Sequence, residues 1–271
     1  MKPLVVYLAY EPLGKKYLEN FLDFYIKFDS GFDHDLIICF KQFKKKKIDE
    51  WKKILVNRSI DFIEFNDDFE KNDFDIGSYF RVAKKYSDRL ILFLNTYTIP
   101  VTKNWLKIYI NHYEEKSIIG ATASMASLPS QFFNFFYDQH TKFQQIKWGF
   151  KHLIQVQLFP NPHIRTTAFF LHAKDLLSLK YDSKKFTKKI ETNYFEAGRK
   201  GISNQLIKKG FKLIIVNSDN NGFDIDTWKK SETFCLGGQS KLIFKDNRTE
   251  EYENANYYEK RKRTKFCWGD I

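Results

Sequence analysis

Over residues 1–125 of this chain, short apolar runs recur between stretches with helical spacing. The runs are Leu4 to Ala9, Leu36 to Phe40, Ile60 to Phe65, Leu90 to Leu94 and Ile118 to Ala123. Between them lie Gly14 to Asp29, with Tyr17, Phe21, Phe24, Tyr25 and Phe28 on one side, then Lys46 to Leu55, Asp75 to Lys85 and Lys103 to Tyr113. Alternating strands and helices imply an α/β fold, because parallel neighbours need a crossover connection. The runs are apolar throughout rather than at every second position, which predicts a mostly parallel central sheet with helices on both faces.

The second half is less regular. Pro129 to Val156 is aromatic and helix-like with no interior proline, and Ile164 to Leu171 reads as a strand. Tyr194 to Lys209 reads as one helix with Gly210 as its cap, followed by a strand at Phe211 to Val216. The polar stretch from Asn217 leads to a charged, helical tail, Asn247 to Lys265. No repeat or Pro/Gly/Ser-dense linker divides the chain, so one domain over 1–216 with a C-terminal extension, 217–271, packed on it is the simplest organisation.

Length and composition narrow the function classes. A chain of 271 residues with 43% apolar residues buries a sizeable core and is not disordered. Its net charge of +12 favours polyanionic partners such as anionic lipid headgroups or phosphorylated substrates, or else marks a solvated lysine face. No zinc-finger or RNP-like pattern supports nucleic acid. The Lys44–Lys47 run reads as a solvated helix start. Three cysteines, Cys39, Cys235 and Cys267, have neither zinc spacing nor a disulfide framework, which fits a reducing compartment. The N-terminus enters strand-like sequence without a signal peptide, and no run approaches a membrane span, so a cytoplasmic protein is expected, with any membrane contact peripheral, at the inner face.

The chemistry gathers at "RLILFLNTYTIP". Here the strand Leu90 to Leu94 ends in Asn95-Thr96-Tyr97-Thr98, and ligands of open α/β sheets sit beyond such carboxyl ends. The same tetrad also reads as a turn leading to a helix capped by Thr102. In order along the chain, "FLNTYTIPVTKNWL", "IRTTAFFL", "FEAGRKGISNQLIKKGFKLIIV", "WKKSETFCLGGQSKLIFKDN" and the closing "CWG" resemble a bacterial glycosyltransferase-like group of the GT-A fold. In that group the strand end reads Phe-Leu-Asn-Ser-Tyr-Ser, where most nucleotide-sugar glycosyltransferases of this fold carry Asp-x-Asp.

The resemblance implies a glycosyltransferase moving a sugar from a nucleotide-sugar donor to a hydroxyl of a glycan or lipid-linked glycan, in surface polysaccharide biosynthesis. It makes 1–125 the nucleotide-sugar-binding half and 126–216 the acceptor half. On the donor side it places Asp75 and Arg81 at the nucleotide and Asn95, Thr96, Tyr97 and Thr98 at the diphosphate or sugar. His163, Arg165 and Thr166 fall on the acceptor side. Glu196 becomes the general base, with Arg199, three residues on, in support and Glu191 in reserve.

Each residue also has a plainer reading. Asp75 or Ser78 caps a helix, Arg81 makes a surface salt bridge, His163 is a loop histidine, and Glu196 and Arg199 form a helix pair. Without Asp-x-Asp, no metal site and no cofactor beyond the nucleotide-sugar are expected. Arg81, Arg165, Arg199 and Lys200 are the candidates to neutralise a diphosphate. The aromatic stretch "SQFFNFFYDQHTKFQQIKWGFKHLIQ", with Lys142, Lys147 and Lys151 interspersed, either covers the core or docks on an anionic membrane. Two other classes stay open: a non-catalytic binder of glycan or nucleotide-sugar, and a basic surface-binding module for nucleic acid or lipid.

Overall fold

The computed structural model describes residues 2–69, 73–182, 186 and 188–270. In chain order the first part comprises β1 (Leu4–Tyr10), α1 (Lys16–Lys27), β2 (Asp35–Lys41), α2 (Lys45–Val56), β3 (Ile63–Asp67), α3 (Phe74–Lys85), β4 (Leu90–Leu94), β5 (Ile99–Pro100), α4 (Trp105–His112), β6 (Ser117–Gly120) and β7 (Ala123–Ser124). There follow α5 (Leu128–Phe133), α6 (Lys142–Leu153), β8 (His163–Ile164), β9 (Ala168–His172), α7 (Ala173–Leu177), α8 (Lys189–Ala197), α9 (Ile202–Lys208), β10 (Lys212–Val216), β11 (Gly222–Phe223), β12 (Phe244–Lys245), α10 (Asn247–Glu253) and α11 (Tyr257–Trp268).

Eight strands form the central sheet in the order β11-β10-β6-β9-β4-β1-β2-β3. β1 pairs parallel with β2 and β4, and β2 with β3, while β9 runs antiparallel between β4 and β6. The continuous apolar runs follow from burial on both faces. Leu4, Val6 and Leu8 point into one core with α3, α8 and α9; Val5, Tyr7 and Ala9 point into the other with α1, α2 and α4. The chain is thus a mixed α/β fold with a mostly parallel sheet between helical layers.

Several sequence expectations change. Pro129 to Val156 is two helices rather than one, because a turn at 134–141 folds α6 back onto α5. Gly149 permits the close approach: a Cβ there would lie 2.5 Å from the Phe133 ring. The helix expected over Tyr194 to Lys209 breaks at Gly198 and Gly201, where added Cβ atoms would meet backbone carbonyls. Gly210 does close α9, at φ +78°. Thr102 does not cap α4; the residue before that helix is Asn104, in the left-handed region at φ 58°.

The tail from Asn217 is woven into the rest. β11 adds to the sheet edge, β12 pairs with β5, and Trp228 and Trp268 are fully buried in the same core as Leu4 and Val6. The four residues that follow β4 therefore lead directly into the strand that receives the tail.

Candidate functional site

The chain runs from β1 outward to β3, then crosses back to place β4 on the other side of β1. Strand ends on either side of such a reversal diverge and leave a crevice. A cleft of about 850 Å³ opens there, lined by Leu8 and Tyr10 from β1, Asn95, Thr96 and Tyr97 beyond β4, and residues of α3, α8, α10 and α11.

The tetrad divides its labour. The Thr96 hydroxyl donates to the Leu8 carbonyl at 2.8 Å, and the Tyr7 hydroxyl donates to the Thr96 carbonyl at 2.7 Å. The Thr98 hydroxyl lies 2.8 Å from Asn95 Oδ1 and 2.9 Å from the Thr167 carbonyl. Asn95 Oδ1 also accepts the Tyr97 N–H, so it closes an Asx turn. Thr98 is fully buried and does not line the cleft, which corrects its donor-lining placement. Asn95, with its carbonyl oxygen occupied, lines the cleft, as does Tyr97, whose ring meets Tyr17 edge-on.

Asp75 and Glu196 are two carboxylates that line the cleft together. Asp75 sits in the first turn of α3, and Glu196 is the next-to-last residue of α8. Burial pushes the Asp75 carboxyl up to about 6, and the negative charge of Glu196 adds to that. One oxygen of Glu196 accepts the Thr166 N–H at 2.7 Å, which fixes the side chain and leaves the other oxygen for a ligand. His163 is buried beside them. Its Nδ1 donates to the Asn161 carbonyl at 2.8 Å, leaving Nε2 as the ring's acceptor. Burial lowers its pKa, with Glu196 pulling the other way.

Arg165 is held from several sides. It bonds Asp246 at 2.9 Å and the Thr122 hydroxyl at 3.2 Å, and its guanidinium stacks over Phe234 at 3.9 Å. Asp246 in turn accepts the N–H groups of Arg248 and Thr249, capping α10. Burial opposes ionisation of Asp246, but Arg165 holds its carboxyl below the ordinary range.

Arg81, Arg199 and Lys200 do not line the cleft. The Arg81 guanidinium is committed to Asp67 and Asp73 at 2.6 Å each, within a cluster that also holds the buried Lys41 ammonium and the Ser78 hydroxyl. Ser78 and Asp75 are not helix caps; the residue before α3 is Asp73. Arg199 lies beyond the end of α8, exposed, with its Nε on the Leu153 carbonyl, so the expected pairing with Glu196 fails. Glu191 receives the Lys188 N–H at 2.9 Å in the first turn of α8 and is also outside the lining.

The cations that do line the cleft are Lys41, Lys189, Arg165, Arg248 and Arg263. Arg248 and Arg263 converge on Glu251 at 2.9 and 3.2 Å. A readable signal existed for two of the helices. Lys189, Thr192, Asn193 and Glu196 stand at i, i+3, i+4 and i+7 on one polar face, and Glu259, Arg263, Phe266 and Cys267 stand at i, i+4, i+7 and i+8 on one mixed face. The fold also brings Cys235 and Cys267, distant in sequence, into side-chain contact as buried free thiols.

Among the described residues, no three His, Cys, Asp or Glu side chains converge as a metal-ligand set. At the β4 end the oxygens on offer are neutral and largely spent on the turn. That donor set does not fit a hard divalent cation.

No family model matches this chain, and no curated protein matches it in sequence. Solved structures to which it is similar include glycosyltransferases. They include the glycosyltransferase GlyE of Streptococcus pneumoniae, at 12% identity over 79% of this chain and 45% of that one, with a TM-score of 0.43. Another is a galactosyltransferase solved with donor and acceptor sugar analogues, at 12% identity over 79% of this chain and 73% of that one, with a TM-score of 0.44. A third is a mannosyltransferase from Pyrobaculum calidifontis in complex with GDP-Man and Mn2+, at 8% identity over 79% and 54%, with a TM-score of 0.46. The chain covers less than half the length of the first of these.

Proposed function

We propose that this chain is a glycosyltransferase that moves a hexose or related sugar from a nucleotide-sugar donor to a hydroxyl of a glycan or lipid-linked glycan. The observation that carries this reading is one cleft holding both halves of the chemistry. A carboxylate pair, Asp75 and Glu196, occupies one part of its wall, and Lys189, Arg248 and Arg263 line another. A hydroxyl needs a base to become a nucleophile, and a departing diphosphate needs its charge met.

In this reading Glu196, held by the Thr166 N–H, takes the proton of the acceptor hydroxyl as its oxygen bonds to the anomeric carbon. The bond from that carbon to the diphosphate oxygen breaks, and the leaving charge is met by Lys189, Arg248 and Arg263. Asn95 and Tyr97 line the donor sugar, and Asp75 lies on the nucleotide side. His163, Arg165 and Thr166 shape the acceptor side. No divalent metal is assigned a step, because the end of β4 offers no carboxylate to draw one out of water. The reading places the protein in surface polysaccharide synthesis, at the cytoplasmic face of an anionic membrane.

A thermal-shift screen against nucleotides and nucleotide-sugars tests it, followed by a transfer assay with each stabilising donor. A donor at ~100-fold its dissociation constant stabilises the fold by about 2.7 kcal/mol. No shift with any nucleotide or nucleotide-sugar overturns the reading. A second reading, a non-catalytic nucleotide-sugar binder, is favoured by the carboxylate-free end of β4. It predicts a shift with neither donor hydrolysis nor transfer.

A further inference from the structure

Helix α6 is fixed on one side and largely exposed on the other. Its start is secured by a Thr141–Gln144 capping box. Gln145 and Gly149 are buried against the neighbouring α5 segment, and Trp148 meets Phe132 edge-on at 5.6 Å. The opposite face carries Phe143, Ile146, Phe150 and Ile154, spaced i, i+3, i+7 and i+11. These side chains are 77%, 40%, 62% and 75% exposed. Phe150 keeps one edge-on contact, with the Phe133 ring at 5.2 Å, yet the stripe as a whole faces solvent, and such exposed apolar patches mark contact surfaces.

The charge around the stripe selects its partner. Lys142 and Lys151 flank it, Lys147 stands within its border, and all three are exposed. Their charge is locally uncompensated in the sequence: no Asp or Glu occurs between Asp138 and Asp175. An apolar stripe bordered by lysines with no acidic residue fits the interface of an anionic bilayer, where acyl chains receive the stripe and headgroups receive the ammonium groups. No helix among the described residues is long and apolar enough to cross a membrane, so this is a surface contact.

The α5–α6 pair also borders the cleft, through Leu128, Gln131, Phe136 and Tyr137. We propose that the Phe143–Ile146–Phe150–Ile154 face of α6, with Lys142, Lys147 and Lys151, docks the protein on an anionic phospholipid surface beside the mouth of the cleft. The proposal names the surface behind the membrane partner in the functional reading above, but the contact itself needs no sugar chemistry.

Co-sedimentation of the full chain with vesicles tests it without any activity readout. Binding is expected to phosphatidylcholine vesicles carrying phosphatidylserine, and not to phosphatidylcholine alone, and it falls away at high salt. Each lysine removed weakens binding by about fivefold, so K142E/K147E/K151E abolishes sedimentation. F143S/F150S weakens it on the same vesicles. All substituted positions are exposed, so unchanged melting of both variants verifies folding.

Equal binding to neutral and anionic vesicles overturns the proposal, as does binding that survives K142E/K147E/K151E. Self-association that F143S/F150S abolishes, without vesicle binding, overturns it too and assigns the face to a second copy of the chain. Because donor stabilisation is measured separately, failure here leaves the transfer reading standing, and the reverse also holds.

Discussion

Asp73 and Asp75 stand two residues apart at the start of α3, and the fold sends them into opposite circumstances. Asp73 joins Asp67, Lys41, Arg81 and Ser78 in a closed cluster where every carboxylate faces a cation. Burial opposes ionisation of Asp67 and Asp73, but Arg81 and Lys41 hold both below the ordinary carboxylate range. Asp75 lines the cleft with no cation among the described residues bonded to it, and burial, then the charge of Glu196, push it up to about 6. The same residue type fixes a helix to two strand ends in one case and titrates near 6 in the other. Whether bonded cations offset the burial of an acid separates the structural cluster from the candidate chemical one.

The largest way to break that contrast is at Glu196. Glu196→Gln keeps an oxygen to accept the Thr166 N–H, so melting and nucleotide binding should hold while transfer falls ~10²–10⁴-fold. Turnover near that of the parent would remove Glu196 as the base. It would direct attention to Asp75, whose position in the cleft and pKa near 6 make it the better reserve than Glu191.

The closed cluster should answer in stability instead. Arg81→Met leaves Asp67 and Asp73 sharing Lys41, and breaking a buried pair in this way costs about 3–5 kcal/mol. Urea unfolding measures it, and a loss under about 1 kcal/mol would deny the cluster its structural role. Gly77 belongs to the same test: a Cβ there would sit 1.7 Å from Asp73 Oδ2, so Gly77→Ala should also destabilise.

Asp75→Asn sharpens the comparison with the opposite sign. A carboxyl raised to about 6 binds its proton more tightly folded than unfolded, where its pKa is about 3.9. The folded state is therefore penalised as pH rises from about 4 through 6, and the penalty is complete above 6. Removing the charge should stabilise the protein by about 1–3 kcal/mol at pH 7 and by nothing near pH 4. Melting at both pH values decides it, and equal effects at both would contradict the raised pKa. For Asp67 and Asp73 the direction reverses: their stabilisation is present above about pH 4 and is lost as pH falls further.

The smallest expected effect is that of a chelator. With Lys189, Arg248 and Arg263 meeting the diphosphate, transfer should be unchanged by EDTA. Inactivation that manganese reverses would show that carboxylates recruit a metal to the cleft and would recast the Asp75–Glu196 pair as ligands.

Much of the scaffold was legible because it rests on local rules. Runs such as Leu4 to Ala9 and Leu90 to Leu94 are apolar on successive residues and too short for a buried helix, which fits a strand covered on both faces. The glycines were harder to weigh. Gly210 reads as a cap and is one, whereas Gly198 and Gly201 read as tolerated within a helix and instead break it. Their neighbours in space, the carbonyls of Tyr194, Gln155 and Phe195, are invisible in a linear pattern. That break is why Arg199 leaves the face that Glu196 shares with Lys189, Thr192 and Asn193.

The sequence by itself determined the α/β class, the strand that ends just before Asn95, and Glu196 as a candidate residue, which the fold does bring to the cleft wall. These follow from periodicity, from turn residues at a strand end and from the order of short motifs. Tertiary structure alone decided which charges meet. It spent Arg81 on Asp67 and Asp73, set Asp75 against Glu196, and paired β12 with β5 so that Arg248 and Arg263 reach the cleft from the far end of the chain. The physical reason is that a charge acts through distance and dielectric, and both are fixed only when residues far apart in sequence are packed side by side.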